Sequence, residues 1–276
     1  MKRKFLIFLA GTLCLISMVS GCSKKEKESE KLQEVEVVYA DNSFIEDMAK
    51  GLQSRWESNL ADEKKEGYDE IYVDSKEYQD MMLGYIDKEL NVIEKYTEEK
   101  FEDKKLQEMA LKYINLLRDH KEICALMTVN YEQYEAEFQP IYNERSKIIE
   151  AMVKDYGMSV EDEYQNLLND FIANSQMVVD EERKEEAINQ MIASVHFEMV
   201  QDDGSGYKTY QAVVENNTGI DFNTFSVSIN LLNADGIIVE TVYDQVSAFK
   251  NGSKAQFEFY TDKEFVSTEI TVEWWE

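Results

Sequence analysis

The spacing of the apolar residues changes once along this chain, near Ser194, and this change limits the folds that the chain can adopt. Over residues 41–192 apolar side chains recur every three or four positions, which is typical of helices buried along one face. After Ser194 they alternate with polar residues, most clearly over 225–231, which is typical of half-buried strands. The pattern predicts an α+β chain of two domains, a helical domain over 41–192 and an antiparallel β domain over 193–276.

One helix is predicted to be long, because its apolar positions keep a heptad spacing from Leu106 to Phe138. A second apolar set widens this face, which indicates an antiparallel helical bundle rather than a two-stranded coiled coil. Pro140 is expected to kink this helix or to begin a new one, and Gly157 to end the next stretch. The pattern leaves open whether the helical residues on either side of Asp180 form one helix or two. The heptad positions are Leu106, Ala110, Tyr113, Leu117, His120, Cys124, Met127, Tyr131, Tyr134 and Phe138.

The last third of the chain combines short alternating segments with turn sequences. Alternation places Ile270, Val272 and Trp274 on one face of the last segment. Turn signals of the Asp-Gly and Asn-Gly type separate the segments, and no helical pattern intervenes. These features predict a small β-sandwich.

Three parts of this β region resemble the FxLYD-type immunoglobulin-like domain. They are residues 213–218 (Val-Val-Glu-Asn-Asn-Thr), residues 227–236 and Gly252 ahead of Phe257. The signature pentad departs from the family pattern, with Ile229 for Phe, Leu232 for Tyr and Asn233 for Asp. The resemblance covers less than a third of the chain and implies an immunoglobulin-like sandwich without catalytic residues.

Residues 1–21 have the features of a secretory signal peptide, which predicts export from the cytoplasm. A positively charged start is followed by the apolar run Phe5–Val19 and then by small residues. A transmembrane helix needs about 20 apolar residues, and this run is shorter. A cleaved signal is therefore favoured over a membrane-spanning helix.

The sequence Val19-Ser20-Gly21-Cys22 resembles the lipobox of bacterial lipoproteins. In that family the signal is cut before the cysteine, whose sulfur and new N-terminus carry acyl chains such as palmitate. The resemblance implies lipidation of Cys22 and a lipid anchor at the extracytoplasmic face of the cell membrane. Residues 22–40 are rich in Lys and Glu and are expected to form a flexible tether, with a short strand at Val35–Tyr39 as the alternative for its end.

The charge of the chain restricts its partners. The formal net charge is −27, and removal of the three positive charges of the signal peptide leaves −30. Such a surface repels phosphate backbones, so no nucleic-acid partner is expected. It also repels anionic lipid headgroups, so the membrane is expected to be contacted through the lipid on Cys22. Cys124 would then have no disulfide partner, since Cys14 leaves with the signal.

The residue pattern predicts no catalytic, cofactor-binding or metal site. His120 and Cys124 lie one helical turn apart, as in a nucleophile or metal-binding pair, but both occupy the heptad face and are interpreted as packing residues. Di-metal centres of helical bundles need Glu-x-x-His pairs, and the residue three before His120 is Leu117.

Two further features allow a functional and a structural interpretation. The acidic segments Asp180–Glu182 and Glu185–Glu186 could supply paired acid and base carboxylates, but carboxylates are so abundant here that a solvated helix face is favoured. Of Trp274 and Trp275, alternation predicts that one faces the core and the other offers an aromatic surface to a ligand.

We therefore expect a lipid-anchored surface lipoprotein that is not an enzyme but an interaction or binding module, with a surface or envelope protein as its partner. The alternative is an extracytoplasmic solute-capture protein or hydrolase. A deep apolar pocket with convergent polar groups would favour that alternative.

Overall fold

A computed structural model describes residues 38–276, and in that range five α-helices precede six β-strands. The helices are α1 (Asp41–Glu63), α2 (Lys76–Ile93), α3 (Lys104–Ile123), α4 (Tyr131–Tyr156) and α5 (Gln165–Ala193). The strands are β1 (Glu198–Asp202), β2 (Lys208–Glu215), β3 (Phe222–Leu232), β4 (Ile238–Phe249), β5 (Lys254–Thr261) and β6 (Ser267–Trp275). The chain is therefore α+β. Residues 1–37, with the signal peptide, Cys22 and nearly all of the expected tether, lie outside the described residues.

The heptad-spaced residues are largely buried, but they belong to two helices, so the expected single long helix is wrong. α3 ends at Ile123, and α4 begins after Asn130. Asn130 has a non-helical backbone (φ −154°, ψ 84°), and its side chain accepts a hydrogen bond from the backbone N–H of Gln133 at 3.2 Å. An asparagine that caps the following helix in this way competes with continuation of the preceding one.

Pro140 does not begin a new helix, because it lies inside α4. Beyond it the helix buries Ile149 and Met152 completely, and this apolar contact offsets the amide hydrogen bond that proline cannot make. The helix continues to Tyr156, and Gly157 ends it in the left-handed conformation with φ 70°, as the sequence predicts. Asp180 lies within α5, so the helical pattern around it is one helix of 29 residues.

The six strands form two antiparallel sheets, with the strand orders β1-β2-β5 and β4-β3-β6. The pairing of β3 with β6 shifts between Ser226 and Val227, so that Ser226 lies opposite Trp274 and Val227 lies opposite Val272. Glu273 is thus an extra residue on β6. An extra residue of this kind is a β-bulge, which re-aims the side chains that follow it.

Contacts join residues Tyr39–Glu276 into one compact unit, in which two clusters of buried apolar side chains can be distinguished. The first cluster lies among α1 to α4 and the start of α5. The second contains side chains from both sheets. α5 contributes to both clusters, with Leu168 in the first and with Ile188 and Met191 in the second.

Candidate functional site

The densest polar cluster of the described residues is buried among the helices and is centred on Glu89. The side chain of Glu89 on α2 has no exposed surface. It accepts hydrogen bonds from Arg55 on α1 at 3.0 Å, from Arg145 on α4 at 3.0 and 2.9 Å, and from the hydroxyl of Tyr113 on α3. One carboxylate therefore links four helices. We call Arg55, Glu89, Tyr113 and Arg145 the Glu89 cluster.

The Glu89 cluster carries one net positive charge, because two guanidinium groups share one carboxylate. Burial alone would raise the pKa of Glu89, but the positive charges of Arg145 and Arg55 outweigh it and lower that pKa. The guanidinium of Arg145 also lies over the rings of Tyr113 and Phe171, at 5.2 and 5.6 Å, where a cation is attracted by the aromatic face. These contacts suit a structural role, since they satisfy the buried carboxylate fully.

The structure places His120 beside the Glu89 cluster and fully buried. Its Nε2 atom lies 3.1 Å from the Tyr134 hydroxyl, and its ring lies 4.6 Å from that of Phe138. Burial, together with the charges of Arg55 and Arg145, lowers the pKa of His120 to about 2. The ring is therefore neutral at physiological pH.

Cys124 follows one turn later and is also fully buried. Burial raises the pKa of its thiol to about 11, against the opposing charge of Arg55. A buried thiol in its neutral form is a poor nucleophile and a poor metal ligand. Its backbone N–H donates to the carbonyl of His120, but no hydrogen bond of the described residues joins the thiol to the His120 ring. The carbonyl of Cys124 accepts a hydrogen bond from the Gln79 side chain at 2.6 Å.

Sequence reasoning missed the Glu89 cluster, although a signal for it is present. Each of its charged residues interrupts an apolar helical stripe. Glu89 lies three residues after Ile86 and four before Ile93, and Arg145 lies four residues before Ile149. A charge at such a position is buried with its helix face and must find a partner there.

The acidic segments of α5 divide into a paired group and an unpaired group. Asp180, Glu181 and Glu182 form ion pairs at 3.0, 2.6 and 2.5 Å with Arg183, Lys184 and Lys147 respectively. Glu185 and Glu186 are exposed, and neither takes part in an ion pair of the residues that the structure describes. The first group is thus a solvated helix face.

An open groove runs between the end of α5 and β6. Its hollow of about 440 Å³ is lined by Glu185, Ile188, Asn189, Val272, Glu273, Trp274 and Trp275. A neighbouring hollow of about 470 Å³ continues it along α5 and shares Glu185 and Asn189. We call these two hollows together the α5–β6 groove. It combines an aromatic and aliphatic floor with unpaired carboxylates.

One of the two tryptophans faces the core and the other is exposed, as alternation predicts. However, Trp274 does not lie on the same face as Ile270 and Val272, where alternation places it. Trp275 packs in the core cluster, with its ring 5.6 Å from that of Phe222 in an edge-on arrangement. Trp274 is 49% exposed. The bulge at Glu273 explains the exchange, because it moves Trp274 out of the face of Ile270 and Val272 and leaves Glu273 and Trp274 exposed side by side.

A second cleft of about 490 Å³ lies at the loop between α1 and α2. Tyr68, Tyr72 and several carboxylates line it, but its Asp62 is already engaged. Asp62 forms an ion pair with Lys65 at 2.5 Å and accepts a hydrogen bond from the Tyr85 hydroxyl at 2.7 Å. Its exposed carboxylates Glu66, Glu70 and Glu77 belong to no ion pair of the described residues, so this cleft is a second acidic surface, but it contains no tryptophan.

Within residues 38–276, no group of three or more His, Cys, Asp or Glu side chains is arranged to hold a metal ion. None of the helices in the same part of the chain is both long and apolar enough to cross a bilayer. A scan against models of protein families, a search of curated proteins and a search of solved structures each found no match to this chain.

Proposed function

We propose that this chain is a lipid-anchored lipoprotein at the extracytoplasmic face of the cell membrane, where it acts as a non-enzymatic module that binds another protein. The proposal of a lipid anchor rests on the sequence Val19-Ser20-Gly21-Cys22, which follows a short apolar run. Residues 1–21 would be removed, and residues 22–40 would form the tether between the lipid on Cys22 and the folded part.

The charge of the chain supports an anchor made by lipid alone. A body of net charge close to −30 is repelled by anionic headgroups, and a single acyl chain binds a bilayer only marginally, whereas two hold it stably. Acylation of both the sulfur and the N-terminus of Cys22 would supply that second chain.

We propose further that the β region is an immunoglobulin-like sandwich of the FxLYD type. If β1 to β6 are equated with strands A, B, C, C′, E and F, the two sheets have the orders A-B-E and C′-C-F that immunoglobulin folds use. Asn216, in a segment that carries the resemblance, is fully buried and donates hydrogen bonds to the carbonyls of Ile220 and Phe249 at 2.8 and 2.9 Å. It thereby ties the β2–β3 turn to the end of β4.

The helical part is proposed to be an antiparallel bundle over 41–192 that forms a domain separate from 193–276. The last two connections between helices, at residues 124–130 and 157–164, are short and favour antiparallel neighbours. Its core is a continuous cluster of buried side chains around Phe44, Ile86 and Leu117. A core filled in this way supports a role in which outer surfaces, rather than an internal cavity, bind the partner.

Mass spectrometry of the mature N-terminal peptide tests the anchor. We expect the protein to begin at Cys22 with acyl chains on that residue, and we expect Cys22→Ala to abolish both acylation and cleavage. Cys124→Ala is the matched control, since it removes a cysteine that is buried in the fold. An unmodified Cys22, or cleavage at another residue, would overturn the lipoprotein proposal.

A further inference from the structure

We infer that the α5–β6 groove binds a basic segment of a partner protein, with a lysine or arginine side chain lying on Trp274 between the carboxylates of Glu185 and Glu273. The inference deepens the proposed binding function and rests on it.

The first support is the position of Trp274. An exposed tryptophan on a strand could have turned into the core, but the bulge at Glu273 holds it outward. Hydrogen bonds fix the chain just after it, since the backbone N–H of Glu276 donates to the carbonyl of Thr224 at 3.0 Å and the N–H of Asn223 donates to the backbone oxygen of Glu276 at 2.5 Å. The backbone that carries this ring is therefore held in place, which lowers the entropy lost when a cation binds to it.

The second support is charge complementarity. Glu185, Glu186 and Glu273 are exposed along the groove, and none of them belongs to an ion pair of the described residues. The nearby Glu181 and Glu182 do have basic partners. Carboxylates beside a tryptophan face favour a cation, because the ring and the charges attract it together. They disfavour an anionic ligand.

The shape of the groove selects a chain rather than a small molecule. Both hollows are open to solvent and share Glu185 and Asn189, so they form one continuous surface groove between α5 and β6. A small ligand is usually held in an enclosed pocket that buries most of its surface. An extended peptide needs only an open surface of this kind, on which the half-buried Val272 and the exposed Trp274 can contact its apolar parts.

The test is calorimetric titration of the full mature protein, in non-ionic detergent at low ionic strength, with acetylated trilysine amide. We expect saturable binding that weakens as salt is added. Glu185→Gln combined with Glu273→Gln should weaken it by about tenfold or more, and Trp274→Leu should do the same.

Two matched controls separate the groove from the general acidity of the chain. Glu269→Gln removes one charge, as Glu273→Gln alone does, from an exposed position of β6 that does not line the groove, and Tyr243→Leu removes an aromatic ring that is 67% exposed on β4. Both should change the affinity by less than about twofold. Thermal unfolding checks that each variant is folded. If Trp274→Leu does not fold, the single variant Glu273→Gln still tests the site.

Three results would overturn the inference. Equal weakening by Glu269→Gln would mean that lysines bind the acidic surface diffusely. If spermidine binds as tightly as trilysine, the groove recognises small polycations and not a peptide. If trilysine does not bind while a neutral trisaccharide binds in a manner that requires Trp274, the ligand is a sugar and not a cation. Each of these would leave the lipid anchor on Cys22 untouched, because that is measured on the N-terminal peptide.

Discussion

Arg145 on α4 places its Nη2 atom 3.0 and 2.9 Å from the two carboxylate oxygens of Glu89 on α2, although the two residues are 56 positions apart in the chain. Both side chains are almost wholly buried, with 1% and 0% of their surfaces exposed. A carboxylate and a guanidinium buried in this way stabilise each other only while both are present. The pair therefore fixes how α2 and α4 pack.

Removal of Glu89 should cost more stability than removal of Arg145. Glu89→Gln leaves two buried guanidinium groups without a counter-charge, and we expect the free energy of unfolding to fall by about 3–5 kcal/mol. Arg145→Met leaves Glu89 paired with Arg55 and also removes the Arg145 Nε atom, which has no hydrogen-bond partner among the described residues. Urea unfolding of both variants measures the difference.

Glu94→Gln is the control for that comparison. It removes a carboxylate that forms an exposed ion pair with Arg118 at 2.9 Å, so the free energy of unfolding should change by less than about 1 kcal/mol. A larger loss in Arg145→Met than in Glu89→Gln would show that the carboxylate is not the centre of the cluster.

His120 should make the protein less stable at acid pH. Burial and the charges of Arg55 and Arg145 lower the pKa of its ring from 6.5 to about 2. Below pH 6.5 the unfolded chain therefore binds a proton that the folded chain does not, so the free energy of unfolding falls as the pH falls. The loss amounts to about 1.4 kcal/mol per pH unit, or about 2–3 kcal/mol by a pH about two units below 6.5.

The variant His120→Gln isolates this effect, because the carboxylates of the chain titrate equally in both proteins. Urea unfolding of each, at about pH 7.5 and about pH 4.5, should give a smaller pH dependence for the variant. Identical pH dependence would show that the ring takes up protons in the folded state. Metal content should stay at background in both, and stoichiometric zinc or iron lost in the variant would identify His120 as a ligand.

Two helical glycines should respond oppositely to replacement by alanine. A Cβ atom at Gly51 would lie 3.3 Å from the carbonyl oxygen of Glu89, whereas one at Gly84 would meet no atom within 4 Å. Gly84→Ala should therefore raise the free energy of unfolding by about 0.5–1 kcal/mol, the usual gain in a helix. Gly51→Ala should lower the free energy of unfolding, because the added methyl group pushes α1 away from α2 at the point where Arg55 binds Glu89. Stabilisation by Gly51→Ala in thermal unfolding would contradict this close approach.

Fragments 41–192 and 193–276 should each unfold cooperatively if the domain boundary is correct. Ile188 and Met191 nevertheless pack in the β cluster and are only 3% exposed. A fragment that begins at residue 181 should therefore be more stable than 193–276 by about 3–6 kcal/mol, the contribution of two buried side chains of this size. Calorimetric unfolding measures both. If no β fragment folds while the intact chain does, the two clusters form a single core.

The sequence by itself determined the α+β class and most of the buried residues. The spacing of apolar residues reflects which face of a helix or strand is buried, and it is the same whichever element packs against that face. For that reason the heptad positions from Leu106 to Met127 were correctly placed in the core, although the helix that carries them was not correctly predicted. Residues 1–37 carry the anchor prediction, and they lie outside what the structure describes.

The break between α3 and α4, the β-bulge and the Glu89 cluster became apparent only in the folded structure. The break at Asn130 depends on local hydrogen bonds that compete with an equally good helical pattern. The bulge at Glu273 depends on the pairing of β6 with β3, which no property of β6 alone reveals. Glu89, Arg55 and Arg145 come from three helices, and a charge can remain buried only where folding brings its counter-charge within about 3 Å.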